Sequence, residues 1–315
     1  MRKHKALWLS LIISFLFTAF IWQIAEPEIV EFVGKTCFKI TKHSFIEVAT
    51  EDAAGIPMRY YPHVGIVYDP EYVAAEASRC YNTRLEPIRE QRFLQLSEWL
   101  IKHIDSTGMI AQTYDFPPAL LKAPWYSAAT QSAAMLALAQ RAGFQRNAEP
   151  LSLAQRMLQQ LDPKVGKISR AESDSTIWFI SYPNYSVKGM LNTLLNLHMY
   201  YVLVGDPQAK DLFQQGMCLL KNKLNNLEDS GVLSDRYTRI GERKEQRQLT
   251  SQLEKLNELS PSHIIRTKIA LYKRADKQFV LFQMLSQRAG GRMLRFFIAW
   301  VLCSLLIQLF LRVPK

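Results

Sequence analysis

Two long runs of apolar residues lie near the two ends of the chain, and the stretch between them repeats apolar and polar positions with a helical period. The first run, Ala6 to Ile24, has no charged residue. As a helix it would be about 28 Å long, enough to cross a bilayer. The second run, Phe296 to Leu311, would reach about 24 Å, which is short for a span. We expect a signal anchor at residues 1–25 and a C-terminal membrane segment at residues 292–315.

The charges beside these runs bear on their orientation. Arg2, Lys3 and Lys5 precede the first run and glutamates follow it, so the positive-inside rule places the body on the periplasmic or lumenal side. A cleaved signal peptide is the alternative, although no small-x-small pattern ends the run cleanly. Basic residues flank both ends of the second run, so the charge rule does not orient it. There a core or in-plane helix is the alternative.

The body is punctuated by proline and glycine in the way that helices require. Helices are predicted to open at Pro87, Pro124, Pro150, Ser186 and Pro207 and to follow over residues 246–259 and 264–287. Residues 26–70 mix short apolar runs with turn signals and predict strands and loops. The rest, residues 71–291, predicts a mainly α fold, an α/α toroid that forms an incomplete barrel of helical hairpins.

The net charge of +11 invites a nucleic-acid partner, but much of it belongs to the membrane flanks. All 28 acidic residues lie between Glu26 and Asp276, where charges nearly balance, so no nucleic-acid partner is expected. The sequence has no glycine-rich nucleotide motif, no serine-nucleophile motif and no closely spaced metal ligands. We therefore expect neither a cofactor nor a metal.

Aromatic residues precede two of the predicted helices. Trp125 and Tyr126 stand just before Thr130 and Gln131, and the tract Trp178 to Pro183 precedes the long apolar helix. In a toroid such loops meet at one mouth, where aromatic rings suit sugar faces. The alternative is that the rings only staple helix ends. Residues 236–277 carry excess basic charge, which fits either an acidic polymer or a solvated helix face.

These tracts, in this order, resemble the C-terminal catalytic domain of the D-glucuronyl C5-epimerases. The similar segments are residues 124–132 (family P-W-x-S-A-x-x-Q-G), Trp178 to Pro183 with 187–189 (W-F-E-E-Y-P, then V-L-N-G), 212–221 (L-Y-x-x-G-M-x-x-L-K), and Asp229-Ser230-Gly231 leading to Tyr237 (D-T-G leading to a catalytic tyrosine). Upstream, Gly55 to Gly65 is similar to the family's G-I-P and Y-x-H-x-G tracts.

The resemblance implies epimerisation at C5 of hexuronic acid residues in a polysaccharide, by proton abstraction and reprotonation from the opposite face. It implies Tyr182 and Tyr237 as the catalytic pair. The substrate-binding candidates are Trp125, Tyr126, Thr130, Gln131, Ser181, Lys188, Arg236, His263 and Arg266. The expected partners are an acidic polysaccharide and the membrane, and the sequence leaves open a homodimer or a polysaccharide-synthesis complex.

Four positions depart from the family pattern. Ser181 replaces a glutamate, Lys188 an asparagine, Ser262 a tyrosine and Arg266 a histidine. Lys188 and Arg266 add positive charge, which suits an acidic polymer. Two other functions therefore stay open: a non-catalytic glycan-binding or scaffold subunit, and a uronate polysaccharide lyase.

Overall fold

The computed structural model describes residues 2–181, 186–226, 243–277 and 290–312. Helices dominate, which confirms the mainly α prediction. They are α1 (Arg2–Thr41), α2 (Pro70–Asn82), α3 (Pro87–His103), α4 (Ala128–Gln145), α5 (Ala148–Gln159), α6 (Val187–Val204), α7 (Pro207–Asn226), α8 (Arg243–Leu259), α9 (His263–Asp276) and α10 (Gly290–Arg312). The strands are β1 (Val48–Glu51), β2 (Pro57–Tyr61), β3 (Gly65–Val67), β4 (Ser169–Ser173) and β5 (Thr176–Phe179).

The helices of the body alternate between an inner row and an outer layer. Helix α2 packs against α4, α4 against α6, and α6 against α8. The helices between them cover this row: α3 packs on α2 and α4, α5 on α4, α7 on α6, and α9 on α7 and α8. Such alternation is compatible with the predicted toroid of helical hairpins.

Helix α4 lies at the centre of the core, and nearly all of its residues are buried. Its sequence explains this, because six alanines in its first twelve residues leave little side-chain bulk between it and its neighbours. Leu136 and Leu138 point into the same core, which also contains Phe93 of α3 and Tyr200 of α6. A helix with small residues on several faces can pack closely against its four neighbours, α2, α3, α5 and α6.

Helix α4 begins after its predicted first residue, and helix α5 begins before its own. The helix expected to open at Pro124 begins at Ala128, because Trp125 exchanges backbone hydrogen bonds of 2.8 and 3.2 Å with Gln112 and so belongs to an extended loop. The helix expected to open at Pro150 begins at Ala148, because the side chain of Asn147 caps it.

Residues 26–70 are more regular than expected. Helix α1 continues to Thr41, past Pro27 and a non-helical Ala25. Strands β1, β2 and β3 then form an antiparallel sheet in sequence order. Phe38 of α1 packs against Tyr60 of β2 with ring centroids 5.1 Å apart, so the sheet connects the first helix to the body. The hairpin of β4 and β5 was not predicted either.

One helix in the described ranges, over Ser10–Thr41, is long and apolar enough to cross a membrane. A shorter apolar stretch, Met293–Ile307, belongs to α10. These two helices lie side by side, and the hydroxyl oxygens of Ser14 and Ser304 are 2.7 Å apart between them.

Candidate functional site

A buried carboxylate at the start of α2 organises one end of the inner row. Asp69 is 3% exposed and caps α2 by accepting from the backbone N–H groups of Glu71 and Tyr72. Its other oxygen accepts the hydroxyl of Tyr61 at 2.6 Å and lies 3.3 Å from the guanidinium of Arg59. This many hydrogen-bond donors fix the position of the buried Asp69 side chain.

Strand β2 supplies both donors because Arg59 and Tyr61 are two positions apart and so share one face of the strand. The guanidinium of Arg59 also lies over the ring of Tyr72, 4.5 Å from its centroid, and 3.8 Å from the carboxylate of Glu47. The sheet thereby brings a fixed positive charge to the start of α2.

Glu71 lies in the first turn of α2 and connects three inner helices. The amide of Asn192 in α6 donates to Glu71 Oε1 at 3.0 Å, and the amide of Gln252 in α8 donates to Asn192. Burial and the nearby charge of Asp69 raise the pKa of the Glu71 carboxyl, and the charge of Lys188 opposes them. Glu71 is thus a partly accessible carboxyl that holds its proton more tightly than an ordinary glutamate.

Lys188 lies in the first turn of α6, one turn before Asn192, and is half-buried. The start of α6 is fixed by Ser186, whose hydroxyl accepts from the N–H of Gly189 at 3.0 Å. Gly189 has no side chain because the Cβ and Oγ atoms of Ser181 occupy that space. This close contact seats residue 181 beside the turn that carries Lys188.

Aromatic rings form a wall beside the carboxylates, and its members are Tyr61, Tyr114, Phe116 and Trp125. The rings of Tyr61 and Tyr114 stack with centroids 6.0 Å apart, and Trp125 meets Tyr114 edge-on at 5.7 Å. Burial and the charge of Asp69 raise the pKa of the Tyr114 phenol. That phenol therefore stays protonated and is a hydrogen-bond donor.

The structure places four predicted contacts differently with respect to this cluster. Trp125 is buried and donates its indole N–H to the Tyr114 carbonyl at 2.8 Å, whereas Tyr126 next to it is 36% exposed. Thr130 is buried and accepts from the amide of Gln112 at 3.0 Å. Gln131 is 1% exposed, and its side-chain amide makes hydrogen bonds with backbone groups of Gly108, Ile110 and Met157. Gln131 therefore joins buried segments and does not face solvent.

The remaining predicted residues divide into three groups. Lys188 lies in the cluster, and Ser181 is buried, accepting the backbone N–H of Ala129 at 3.2 Å. His263 and Arg266 are exposed on α9, which packs on the outer side against α7 and α8. The other predicted site residues, Tyr182, Arg236 and Tyr237, lie outside the described residues.

Sequence reasoning missed Arg59, Asp69, Glu71 and Asn192. One signal could have found Asp69, because an aspartate before a proline is a helix start that fixes a carboxylate. No local pattern connects Glu71 to Asn192, since the two are 121 positions apart. In the part of the chain that the structure describes, no group of three His, Cys, Asp or Glu side chains is arranged to hold a metal ion.

Comparison with protein-family models gives a match over residues 105–241 to the family described as D-glucuronyl C5-epimerase C-terminus. Comparison with curated proteins gives no match. The matched range contains Gln112, Trp125 and Lys188 and ends after Tyr237. Asp69 and the rest of its helix precede the range, so the site joins residues from inside and outside the matched segment.

Proposed function

Because residues 105–241 match the model of the D-glucuronyl C5-epimerase C-terminus, we propose that the chain epimerises hexuronic acid residues at C5 within an acidic polysaccharide. This match supports an isomerase-type enzyme that acts on a polysaccharide. The observation that supports the specific reaction is the placement of Lys188 beside the high-pKa carboxyl of Glu71.

The reaction requires the substrate carboxylate to accept negative charge. The proton on C5 becomes acidic only when the neighbouring carboxylate is neutralised, since its loss makes an enolate. Lys188 would supply a cation to that carboxylate. The raised pKa of Glu71 favours its protonated form, which would donate a hydrogen bond from Oε2, since Oε1 already accepts from Asn192.

Two tyrosines would move the proton. One phenolate takes the proton from C5, the bonding electrons pass into the carboxylate as an enolate, and the other phenol gives its proton to C5 from the opposite face. We assign these roles to Tyr182 and Tyr237 on the resemblance. Two contacts of Ser181, with Ala129 and Gly189, support the first assignment because they seat the residue before Tyr182 beside Lys188.

The other residues would hold the polymer. Tyr126, partly exposed beside the aromatic wall, would stack on a sugar ring, with Trp125 supporting the loop beneath it. We propose Arg236 as the cation that favours the phenolate of Tyr237. His263 and Arg266 would meet the polymer only outside the cluster, and we no longer propose Thr130 and Gln131 as contacts because both are buried and hydrogen-bonded.

We propose residues 71–291 as the catalytic domain, extended backwards to include the sheet of β1, β2 and β3. The reason is that Arg59 and Tyr61 of β2 hold Asp69, which adjoins Glu71. A truncated protein that keeps Asp69 but lacks β2 would leave that carboxylate without its charge partner, which destabilises a buried anion.

A second candidate is a glycan-binding subunit without catalysis. Ser181 favours it, since it is a buried hydroxyl where the resembling family has a glutamate. A lyase is the third candidate, because expulsion of the 4-linked sugar from the same enolate would cleave the chain.

Product analysis separates these candidates. The full-length protein in detergent would be incubated with a glucuronate-containing polymer of the heparosan type, and a carboxyl-reduced form of that polymer would be the control. Epimerisation predicts new C5-epimer signals by nuclear magnetic resonance in the carboxylated polymer alone, without ultraviolet absorbance from unsaturated ends. Absorbance would identify a lyase. Retention of the polymer with no new signal would overturn the enzymatic proposal.

A further inference from the structure

Helix α1 buries the hydroxyl side chains of Ser10, Ser14 and Thr18 and exposes many of its large apolar residues. Trp22 is also buried, and of these residues Ser14 and Trp22 contact α10 directly, through Ser304 and Phe296. On the other faces, Trp8 is 66% exposed and Phe20 is 64% exposed. Exposed faces this rich in large apolar residues are unlike those of a helix in a water-soluble protein.

Helix α10 also has apolar outward faces, although Phe296 is buried against Trp22. Ser304 is 7% exposed, whereas Leu302 and Leu306 are 57% and 56% exposed. The indole N–H of Trp300 donates to Ser14 Oγ at 3.1 Å, and that oxygen is 2.7 Å from Ser304 Oγ. A row of hydroxyl and indole contacts therefore joins the two helices.

Solvent chemistry decides what covers the outward faces. In water, a helix pair is stabilised by burying apolar residues, and a contiguous apolar surface on both helices is unfavourable. In hydrocarbon there is no such driving force, and helices associate through small residues and interhelical hydrogen bonds. The interface combines the serine hydrogen bonds with aromatic packing of Phe15 and Trp22 on Phe296, and the leucines on the outward faces fit hydrocarbon.

We propose that α1 and α10 cross the bilayer together as an antiparallel helix pair. The contacts of Ser14, Ser304 and Trp300 join the two helices, and lipid acyl chains cover their outward apolar faces. The proposal requires that α1 is retained rather than cleaved as a signal peptide. It also makes α10 a span rather than an in-plane helix. It is independent of the proposed function.

The pairing also determines how the helix pair is oriented in the membrane. Because Phe296 packs against Trp22 while Ser304 meets Ser14, the C-terminal end of α10 lies near the N-terminal end of α1. Basic residues without acidic ones therefore gather at that end, and they are Arg2, Lys3, Lys5 and Arg312. At the other end, Arg292 and Arg295 are balanced by Glu26, Glu28 and Glu31. The positive-inside rule then places both termini in the cytoplasm and the body outside.

The extension of α1 beyond the membrane connects the helix pair to the cluster at Asp69. From Pro27 to Phe38 the helix rises about 16 Å. Phe38 then packs on Tyr60, the residue between Arg59 and Tyr61. Gly34 adds a second close contact, since the side chain of Ile46 occupies the space of a Cβ there. The cluster at Asp69 is thus held near the membrane surface by a helix and not by a linker.

Cross-linking in membranes tests the pairing. The substitutions Ser14→Cys and Ser304→Cys, in full-length protein with Cys303→Ser, should form an intramolecular disulfide on mild oxidation. The matched control is Ile13→Cys with Leu305→Cys in the same background, because both side chains are about half exposed on outward faces. The control pair should cross-link at least about tenfold less, since outward-pointing cysteines cannot reach each other. Equal cross-linking of both pairs, or none in the first, overturns the pairing.

Cysteine labelling in intact cells tests the topology. Single cysteines introduced by Lys3→Cys or Pro314→Cys, with the four native cysteines replaced, should react with an impermeant maleimide only after the membrane is permeabilised. Leu85→Cys, at a side chain 99% exposed on the body, should react without permeabilisation. Labelling of Pro314→Cys from outside, or a membrane-bound protein that lacks its first 25 residues, overturns the proposal that the two helices cross the membrane as a pair.

Discussion

The side-chain amide of Asn192 donates a 3.0 Å hydrogen bond to Glu71 and so joins helix α6 to helix α2. Lys188 lies one turn before Asn192, and its charge acts on the same carboxyl. Two helices widely separated in sequence thereby place a cation, an amide and a carboxyl together.

Glu71 should act through its proton. Because burial and Asp69 raise its pKa, the activity of the wild type should fall as pH rises through that pKa and Glu71 loses the proton it donates. Glu71→Gln keeps a donor that does not titrate, so it should retain activity within about tenfold and lose this alkaline decline. Glu71→Ala should lose about 10²–10³-fold in kcat. Rate profiles against pH check this, and an unchanged profile for Glu71→Gln contradicts it.

The same carboxyl should affect stability. A group whose pKa is higher in the folded protein than in the unfolded chain stabilises the fold below the unfolded pKa, and that contribution is lost as pH rises through the folded pKa. The difference in Tm, wild type minus Glu71→Gln, should therefore be more positive near pH 4 than near pH 8. Thermal unfolding followed by circular dichroism measures this difference. A difference that does not change with pH, or changes with the opposite sign, excludes the raised pKa.

Lys188 should be needed for its charge. Lys188→Met should reduce kcat/KM on the carboxylated polymer by about 10²–10³-fold, because the enolate loses its cation. Lys188→Arg keeps the charge and should retain more activity than Lys188→Met. Lys102→Met, on the exposed surface of α3, is the matched control and should leave kcat/KM unchanged. Equal losses for Lys188→Met and Lys102→Met would count against a role for Lys188.

The contact of Gly189 with Ser181 should be intolerant of a side chain. In Gly189→Ala the new methyl group overlaps Ser181, so we expect a loss of about 1–3 kcal/mol in the free energy of unfolding and a fall in activity as Ser181 and Tyr182 shift. Gly143→Ala is the matched control, since nothing lies within 4 Å of its Cβ position. It should stabilise helix α4 by about 0.5–1 kcal/mol. Urea unfolding of both variants decides this, and two equal effects would contradict the packing argument.

How much the sequence predicted follows from how local each signal is. The start of α6 near Ser186 and the placement of Lys188 in its first turn follow from apolar periodicity, and both are confirmed. The contact of Asn192 with Glu71 depends on how two distant helices pack, and the role of Arg59 depends on a strand pairing. Neither leaves a local pattern. Gln131 was expected to contact substrate because it lies in a tract that resembles the family. Its hydrogen bonds to buried backbone groups depend on the three-dimensional fold and leave no local pattern.

The continuation of α1 to Thr41 was missed for a different physical reason. The anchor was expected to end at residue 25 because the uncharged run ends at Ile24, yet Pro27 lies just after the non-helical Ala25 and begins a new helical segment there. Tertiary contacts of Phe38 and Gly34 then stabilise a segment whose own pattern is weak. Contacts of this kind are decided by the whole fold.

Hydrogen exchange at C5 tests the central claim most directly. The full-length protein and the variants Tyr182→Phe and Tyr237→Phe would be incubated with a glucuronate polymer in deuterated water, and the uronate residues analysed by mass spectrometry and nuclear magnetic resonance. The wild type should place solvent deuterium on C5, and each variant should do so at least about 10²-fold more slowly. Absence of deuterium from C5 with the wild type, or equal incorporation by both variants and the wild type, would contradict the account.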